Sequence, residues 1–226
     1  MPAATPTEGA GEAEPEAPSE ASAAPARDRP EGSRPASEEA RPKLVLGLGN
    51  PGERYVATRH NLGFRVVEEL ARRRGQTLVD DECACRLALS GAPAGLLLAQ
   101  PQTFMNRSGH AARCLVERYG FAPAEVLVVY DEVALPLGRL RLRPSGGPAG
   151  HRGMESVLGE LRTDEVARLR LGIAPAEAPG DLVAFVLAPF AADELEVVEP
   201  MISRAADACE AWAVEGAERA MNRFNA

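Results

Sequence analysis

The sequence predicts an α/β fold, a single domain with a mixed, largely parallel central sheet flanked by helices, preceded by a disordered N-terminal tail. From residue 43 onward, short apolar runs that end at Gly or Pro alternate with amphipathic helical patterns, which is typical of parallel sheets covered by helices. No apolar run is long enough to span a membrane. The first 42 residues are rich in Ala, Pro and Glu and contain no Val, Leu, Ile or aromatic residue. We therefore divide the chain into a tail, residues 1–42, and a domain, residues 43–226.

The tail lacks the apolar side chains that would offset the entropic cost of ordering it, so we expect it to be disordered. It holds nine acidic residues against four arginines, whereas organelle transit peptides are Arg-rich and poor in acidic residues. Most of the chain's net charge of −8 belongs to this tail, and the domain holds about −3. So small a charge argues only weakly against a nucleic-acid partner.

Hydrophobic periodicity defines the elements of the domain. Residues 43–48 and 126–130 predict buried strands, because each is a short continuous apolar run bounded by turn residues. Residues 61–74 predict a helix with one apolar face, stopped by Gly75. The remaining predicted strands lie near 85–89, 95–100, 139–143 and 166–173, and the remaining predicted helices cover 106–119, 151–161 and 191–219, the last being one long helix or a pair. We expect Asn106 or Ser108 to cap the helix that follows them.

Four polar residues fall beyond the ends of the predicted strands. Asn50, Asn106 and Asp131 each follow a strand, and His60 stands at the start of the helix after Asn50. Ligands of parallel sheets bind at this edge, so we expect the four side chains to converge. Each alone can equally be a turn or capping residue. Together, a His that titrates near neutral pH, an Asp and amide donors suit water activation and oxyanion stabilisation.

Three further features of the sequence have ordinary explanations. Residues 47–52 match the spacing of a dinucleotide-binding glycine loop, but Pro51 and an irregular segment separate them from the helix that such a loop requires. His110 lies within a predicted helix, and we expect a surface or packing role for it. The four cysteines match no zinc or redox motif, so we expect reduced thiols in a cytoplasmic protein.

Six motifs occur in order along the domain, and together they resemble bacterial-type peptidyl-tRNA hydrolase. They are LGLGNPG at 46–52, TRHNLG at 58–63, PQTFMNRSG at 101–109, DEVALP at 131–136, GHRG at 150–153 and RLRLGI at 168–173. The resemblance runs from residue 43 to about residue 223, so it covers the domain and excludes the tail.

The resemblance implies an enzyme that hydrolyses the ester between a peptide and the terminal ribose of tRNA, and so recycles tRNA from stalled translation. It implies that His60 is the general base, that Asp131 orients His60, and that Asn50 senses the first amide of the peptide. Four further residues match positions that line the channel for the peptide and the tRNA end: Tyr55, Phe104, Met105 and Asn106.

The resemblance also places Arg141, Arg143 and Arg170 near tRNA phosphates, although charges on a strand often simply face solvent. One motif departs from the family: Arg152 stands where an Asn is usual. Arg only donates hydrogen bonds, whereas Asn also accepts them. Arg152 either binds a phosphate or the terminal nucleotide in place of that Asn, or it points into solvent.

An ester is easier to cleave than an amide, so we expect neither a metal nor a cofactor. Peptidyl-tRNA is the one expected partner; we expect no membrane association, a monomer and a cytoplasmic location. The alternative function is that of a non-catalytic RNA-binding relative, as some plastid splicing factors are. The acidic tail and the presence of both His60 and Asp131 favour the enzyme, because a pure binder need not keep a proton-transfer pair.

Overall fold

The computed structural model describes residues 42–81, 83–91, 95–174 and 180–225, so all but the last residue of the predicted tail lies outside the described residues. The strands are β1 (Lys43–Gly47), β2 (Val79–Asp81), β3 (Cys85–Ser90), β4 (Leu96–Pro101), β5 (Val126–Pro136), β6 (Leu140–Arg143) and β7 (Ala167–Ala174). The helices are α1 (Leu62–Arg73), α2 (Ser108–Tyr119), α3 (Arg152–Leu161), α4 (Leu182–Val186), α5 (Ala192–Glu215) and α6 (Ala217–Phe224). None of these helices is both long and apolar enough to cross a membrane.

The seven strands form one sheet in the order β2-β3-β4-β1-β5-β7-β6. Strands β4, β1, β5 and β7 run parallel, whereas β3 and β6 run antiparallel to their neighbours. The predicted mixed, largely parallel sheet is confirmed. Strand β7 lies between β5 and β6, so the last strand in sequence is inserted between two earlier ones.

Helices cover both faces of the sheet and create two apolar layers. Helices α1, α5 and α6 cover one face, where Trp212 is almost fully buried. Helices α2 and α3 pack on each other and cover the other face around Tyr130. All six residues of β4 are buried, as are four of the five in β1. Central parallel strands are covered on both sides, which explains why their sequences are continuous apolar runs.

Backbone contact seats α1 at the carboxyl ends of β1 and β5. A Cβ on Gly63 would collide with the carbonyl of Val129 and with the backbone of Leu48. Only glycine allows this close approach. The residues just before α1, including His60, therefore lie directly beyond the ends of the two central strands.

Two short elements escaped the sequence prediction. Strand β2 is a three-residue edge strand whose residues are at least partly exposed, so it has no apolar run to reveal it. Helix α4 has five residues, and one turn of helix is too short to display an amphipathic period.

Three boundaries differ from the prediction. Strand β5 extends to Pro136, because Asp131 and Glu132 keep their pairing with β7 before a bulge. The C-terminal helical region is the pair that the prediction allowed, breaking at Gly216 (φ 85°), but it extends to Phe224 instead of ending at residue 219. Neither Asn106 nor Ser108 caps α2 through its side chain; a turn of 3-10 helix, Met105–Arg107, leads into it instead.

The expectation of four reduced thiols was wrong. Cys83 and Cys114 form a disulfide that ties the turn before β3 to α2. Cys85 and Cys209 are free and buried. Burial raises the pKa of the Cys85 thiol to about 12, so this thiol is inert at neutral pH. A separation of 31 residues matches no motif, and only the packing of α2 on the sheet brings the pair together.

Candidate active site

Asn50 follows β1 and is held by three hydrogen bonds. Its N–H donates to Oδ1 of Asn61 (2.8 Å), and Nδ2 of Asn61 donates to the Asn50 carbonyl (2.9 Å). Its own Oδ1 accepts from the N–H of Met105 (2.9 Å). A backbone N–H can only donate, so the contact with Met105 fixes which way the Asn50 amide faces. The Nδ2 group takes part in none of these three bonds, and Asn50 lines a cavity.

His60 lies in the turn of 3-10 helix that precedes α1, and its ring meets a carboxylate at the end of β5. His60 Nδ1 is 2.8 Å from Oδ1 and 3.0 Å from Oδ2 of Asp131. The side chain of Asp131 is 1% exposed and that of His60 is 14% exposed. An ionised carboxylate only accepts hydrogen bonds, so Nδ1 of neutral His60 holds the hydrogen. Its Nε2 then has a free lone pair.

The environment keeps Asp131 ionised. Burial by itself would raise the pKa of Asp131, but the charge of protonated His60 and the hydrogen bonds from His60 and His151 outweigh it. The pKa of this carboxyl is held well below its usual range. Asp131 is therefore an anionic acceptor throughout the neutral pH range.

A second histidine, for which no role was predicted from the sequence, contacts the same carboxylate. His151 Nε2 is 3.2 Å from Oδ1 of Asp131. Its Nδ1 accepts from the N–H of Met154 (3.1 Å) at the start of α3. The ring packs on Tyr130, with 4.5 Å between ring centroids, and near His60, at 5.0 Å. A His directly before a predicted helix, after a glycine-rich loop, was the signal available in the sequence.

His60, Asp131 and His151 are also residue types that bind metals, and their ligand atoms lie within 4.8 Å of one another. A metal would need a lone pair on His151 Nε2. That nitrogen holds the hydrogen, because Nδ1 is already the acceptor for Met154. The protonation pattern therefore favours a hydrogen-bonded network over a metal site.

The network opens into a cavity of about 440 Å³. All eight residues predicted for catalysis or for the peptide and tRNA end line it: Asn50, Tyr55, His60, Phe104, Met105, Asn106, Asp131 and Arg152. Four chain segments, 50–60, 104–106, 131 and 152, supply them, so the structure brings together residues that are far apart in sequence. Asn106 and Arg152 are exposed.

An apolar wall faces these polar groups, and the sequence did not reveal it. Helix α4 and the residue after it contribute Leu182, Val183, Val186 and Leu187. Phe104, which is 52% exposed, and Tyr55 meet edge to face at 6.4 Å between centroids. Exposed apolar side chains around a cavity are typical of a ligand site.

Arg59 links this apolar wall to the turn that contains His60 through hydrogen bonds and a ring contact. Its guanidinium donates to the Pro189 carbonyl (2.7 Å) and to Oε2 of Glu194 (2.6 Å). It also lies over the ring of Phe185 in α4, 4.4 Å from the centroid. The backbone N–H of Arg59 donates to the Ala188 carbonyl. The position of α4 is thus tied to that of the neighbouring histidine.

Comparisons with known proteins point to one family. A family model described as peptidyl-tRNA hydrolase matches residues 44–226. The chain belongs to the peptidyl-tRNA hydrolase family. A relative of that name from Chloroflexus aggregans is 45% identical over 185 residues, which cover 80% of this chain and 98% of the relative. One from Synechococcus sp. (strain JA-2-3B'a(2-13)) is 46% identical, covering 81% and 83%.

A solved structure of peptidyl-tRNA hydrolase from Acinetobacter baumannii has the same fold. It superimposes with a TM-score of 0.77 at 31% identity, covering 84% of this chain and 98% of that one.

In this chain, α1 begins ten residues after Gly52. The helix therefore does not start at the glycine turn, as the dinucleotide-loop interpretation of residues 47–52 requires.

The three arginines that family resemblance places near phosphates lie on β6 and β7. Arg141 pairs directly across from Arg170, and Arg170 across from Tyr130, so these side chains share one face of the sheet. Arg141 is exposed and Arg143 is partly exposed. Arg170 is less available, because its Nη1 lies 3.0 Å from Oε2 of Glu132.

Arg168, which the sequence analysis did not single out, organises the loop before His151. It is 2% exposed, and it donates to the carbonyls of Gly146, Gly147 and Asp164. Burial lowers its pKa.

His110 is exposed on α2 and pairs with Glu160 at 3.2 Å, which confirms the surface role expected for it.

Proposed function

We propose that this protein hydrolyses the ester bond of peptidyl-tRNA, with His60 as the general base and Asp131 as the group that orients it. The observation behind the proposal is the 2.8 Å contact from His60 Nδ1 to buried Asp131 at the wall of an open cavity. This contact leaves the Nε2 lone pair of neutral His60 free to take a proton from water.

The reaction needs only these side chains and water. The water oxygen attacks the ester carbonyl carbon while its proton passes to His60. The bond from that carbon to the ribose oxygen then breaks, and His60 returns the proton to the leaving oxygen. The amide groups of Asn50 and Asn106 are donors for the oxyanion. We propose that no metal or cofactor takes part.

Peptide recognition follows from the two sides of the cavity. The Nδ2 group of Asn50 is the donor that remains for a ligand in the cavity, because the N–H of Met105 occupies its Oδ1. It is therefore suited to test for the first amide of a peptide, which free aminoacyl-tRNA lacks. Tyr55, Phe104, Met105 and the apolar wall of α4 offer a sequence-tolerant surface for the chain beyond that amide.

Binding of tRNA is proposed for the arginine face. Arg141 and Arg143 are accessible to phosphates, and Arg170 joins them if it exchanges Glu132 for a phosphate oxygen. Phosphate contacts contain no base information, which suits an enzyme that acts on many tRNAs. We further propose that the protein is a monomer, acts in the cytoplasm where ribosomes release peptidyl-tRNA, and does not use its tail, residues 1–42, for the reaction.

The test is single-turnover hydrolysis of N-blocked aminoacyl-tRNA at saturating enzyme. His60→Ala should lower the rate by about 10²- to 10⁴-fold, the usual contribution of a general base, and should leave tRNA binding intact. The matched control is His110→Ala, which removes an exposed histidine on α2 and should leave the rate unchanged.

Activity of His60→Ala within a few-fold of wild type would remove His60 from the mechanism. A wild-type protein that binds tRNA tightly but leaves the ester intact would instead support the alternative of a non-catalytic RNA-binding relative.

A further inference from the structure

Both ring nitrogens of His151 are engaged. Nδ1 accepts from the N–H of Met154, and Nε2 faces Oδ1 of Asp131 at 3.2 Å. A backbone N–H can only donate, so neutral His151 has no hydrogen on Nδ1 and one on Nε2. The N-terminus of α3 thus dictates that His151 presents an N–H to Asp131.

Packing prevents the ring from exchanging these contacts. The side chain is 8% exposed, and its ring lies 4.5 Å from that of Tyr130 and 5.0 Å from that of His60. Turning the ring over would break the helix cap and the contact with Asp131 together. His151 is therefore a fixed donor, whereas a water molecule at the same place could rotate.

We propose that His151 is a positioning residue that holds Asp131 through this fixed donor and so divides the charge of the carboxylate between two imidazoles. The proposal rests on the proposed function, in which His60 is the base. A carboxylate that serves one donor attracts it more strongly than a carboxylate that serves two. Loss of the His151 donor should therefore make His60 more basic.

This effect is opposite in sign to that of removing Asp131. Without the carboxylate, protonated His60 loses its partner and becomes more acidic; without His151, it keeps an undivided partner and becomes less acidic. The other ionisable groups on elements packed around the network stay the same in every variant. They include Tyr55, Glu132 and Arg152, which line the cavity, Arg59 next to His60, and Tyr130, Arg168 and Arg170 on β5 and β7, while α4 contributes none.

Two substitutions separate positioning from helix capping. In His151→Asn, the short side chain can still accept from the Met154 N–H, as Asn does at many helix starts, but it cannot reach Asp131. In His151→Gln, the amide nitrogen stands about where Nε2 does and can donate to Asp131, but the cap is lost. Thermal unfolding of both variants reports the capping effect.

The readout is the pH dependence of kcat/KM for N-blocked aminoacyl-tRNA. We expect the rising limb of His151→Asn to move to higher pH by roughly 0.5 to 1 unit, with a melting temperature near that of wild type. His151→Gln should melt lower and keep its limb within about 0.2 unit. An unmoved or acid-shifted limb in His151→Asn would overturn the proposal, as would equal shifts in both variants.

Nitrogen-15 NMR of the wild-type imidazoles tests the same idea without activity or variants. Neutral His151 should show the Nε2–H tautomer, and finding the Nδ1–H tautomer would overturn the proposal. Undiminished hydrolysis by His60→Ala would defeat the proposed function instead and would leave this tautomer result standing, so the two failures are distinguishable.

Discussion

Asp131→Asn replaces a buried anion by a neutral amide of nearly the same shape. In the native protein, Oδ1 faces Nδ1 of His60 at 2.8 Å and Nε2 of His151 at 3.2 Å, and Oδ2 faces Nδ1 of His60 at 3.0 Å. The amide oxygen can replace only Oδ1. The NH₂ group then opposes the Nδ1–H of His60 at about the Oδ2 position, where two donors repel.

The magnitude of the effect follows from that conflict. The His60 ring escapes it by moving its hydrogen from Nδ1 to Nε2, which removes the lone pair that faces the cavity. The same change in a Ser–His–Asp triad costs about 10⁴-fold through the wrong tautomer. We expect the maximal rate to fall by about 10²- to 10⁴-fold, or about 3–5 kcal/mol in the barrier.

The pH profile should change as well as the rate. Loss of the carboxylate lowers the pKa of His60, since the imidazolium loses its partner. The rising limb of the single-turnover profile should therefore move to lower pH while its plateau falls. The assay follows ester loss from N-blocked aminoacyl-tRNA at saturating enzyme, with circular dichroism as the control for folding. An unchanged plateau would remove Asp131 from the mechanism, and a limb shifted to higher pH would refute the reasoning about charge.

Three further predictions concern features outside the catalytic pair. Deleting residues 1–41 should leave the melting temperature and the hydrolysis rate nearly unchanged, because the tail lacks apolar side chains that could dock; a fall of several degrees would show that it packs. Arg152→Asn should reduce the salt dependence of tRNA binding by a slope of about 0.7–0.9 while the hydrolysis rate holds or improves; if slope and rate both stay the same, Arg152 contacts no phosphate. Cys83→Ser should lower the free energy of unfolding by about 3–4 kcal/mol, because the disulfide closes a separation of 31 residues; equal stability with and without a reductant would mean that Cys83 and Cys114 are not bonded.

The elements around the site were predictable where the burial of a strand or helix leaves a pattern of apolar residues in its own sequence. The strands β1 and β5 are buried on both faces, so their sequences are continuous apolar runs. The polar residues that follow them lie at the predicted edge of the sheet. The convergence of Asn50, His60 and Asp131 also follows from strand order and direction, because the ends of parallel strands meet at one edge.

What the sequence did not reveal depends on contacts between distant segments. The sequence placed His151 at the start of a predicted helix. Its hydrogen bond to Asp131, however, exists only because α3 packs beside the end of β5. Glu132 limits the availability of Arg170 through a contact across two strands. Arg59 was predicted only as one residue of a family motif. Its link to the segment around α4 depends on an ion pair with Glu194, which is 135 residues away.

The position of β7 has a consequence for the nascent chain. This strand supplies the neighbour of Asp131 in the sheet, Leu171, yet it emerges after β6, which must lie beyond it. A chain halted before residue 174 cannot complete the sheet next to Asp131, and it also lacks α4 and the partner of Arg59. Because pairings so distant in sequence form late, the candidate active site is assembled only when synthesis of the domain is nearly finished. An unfinished copy of the protein thus lacks the cavity in which we propose that the ester is hydrolysed.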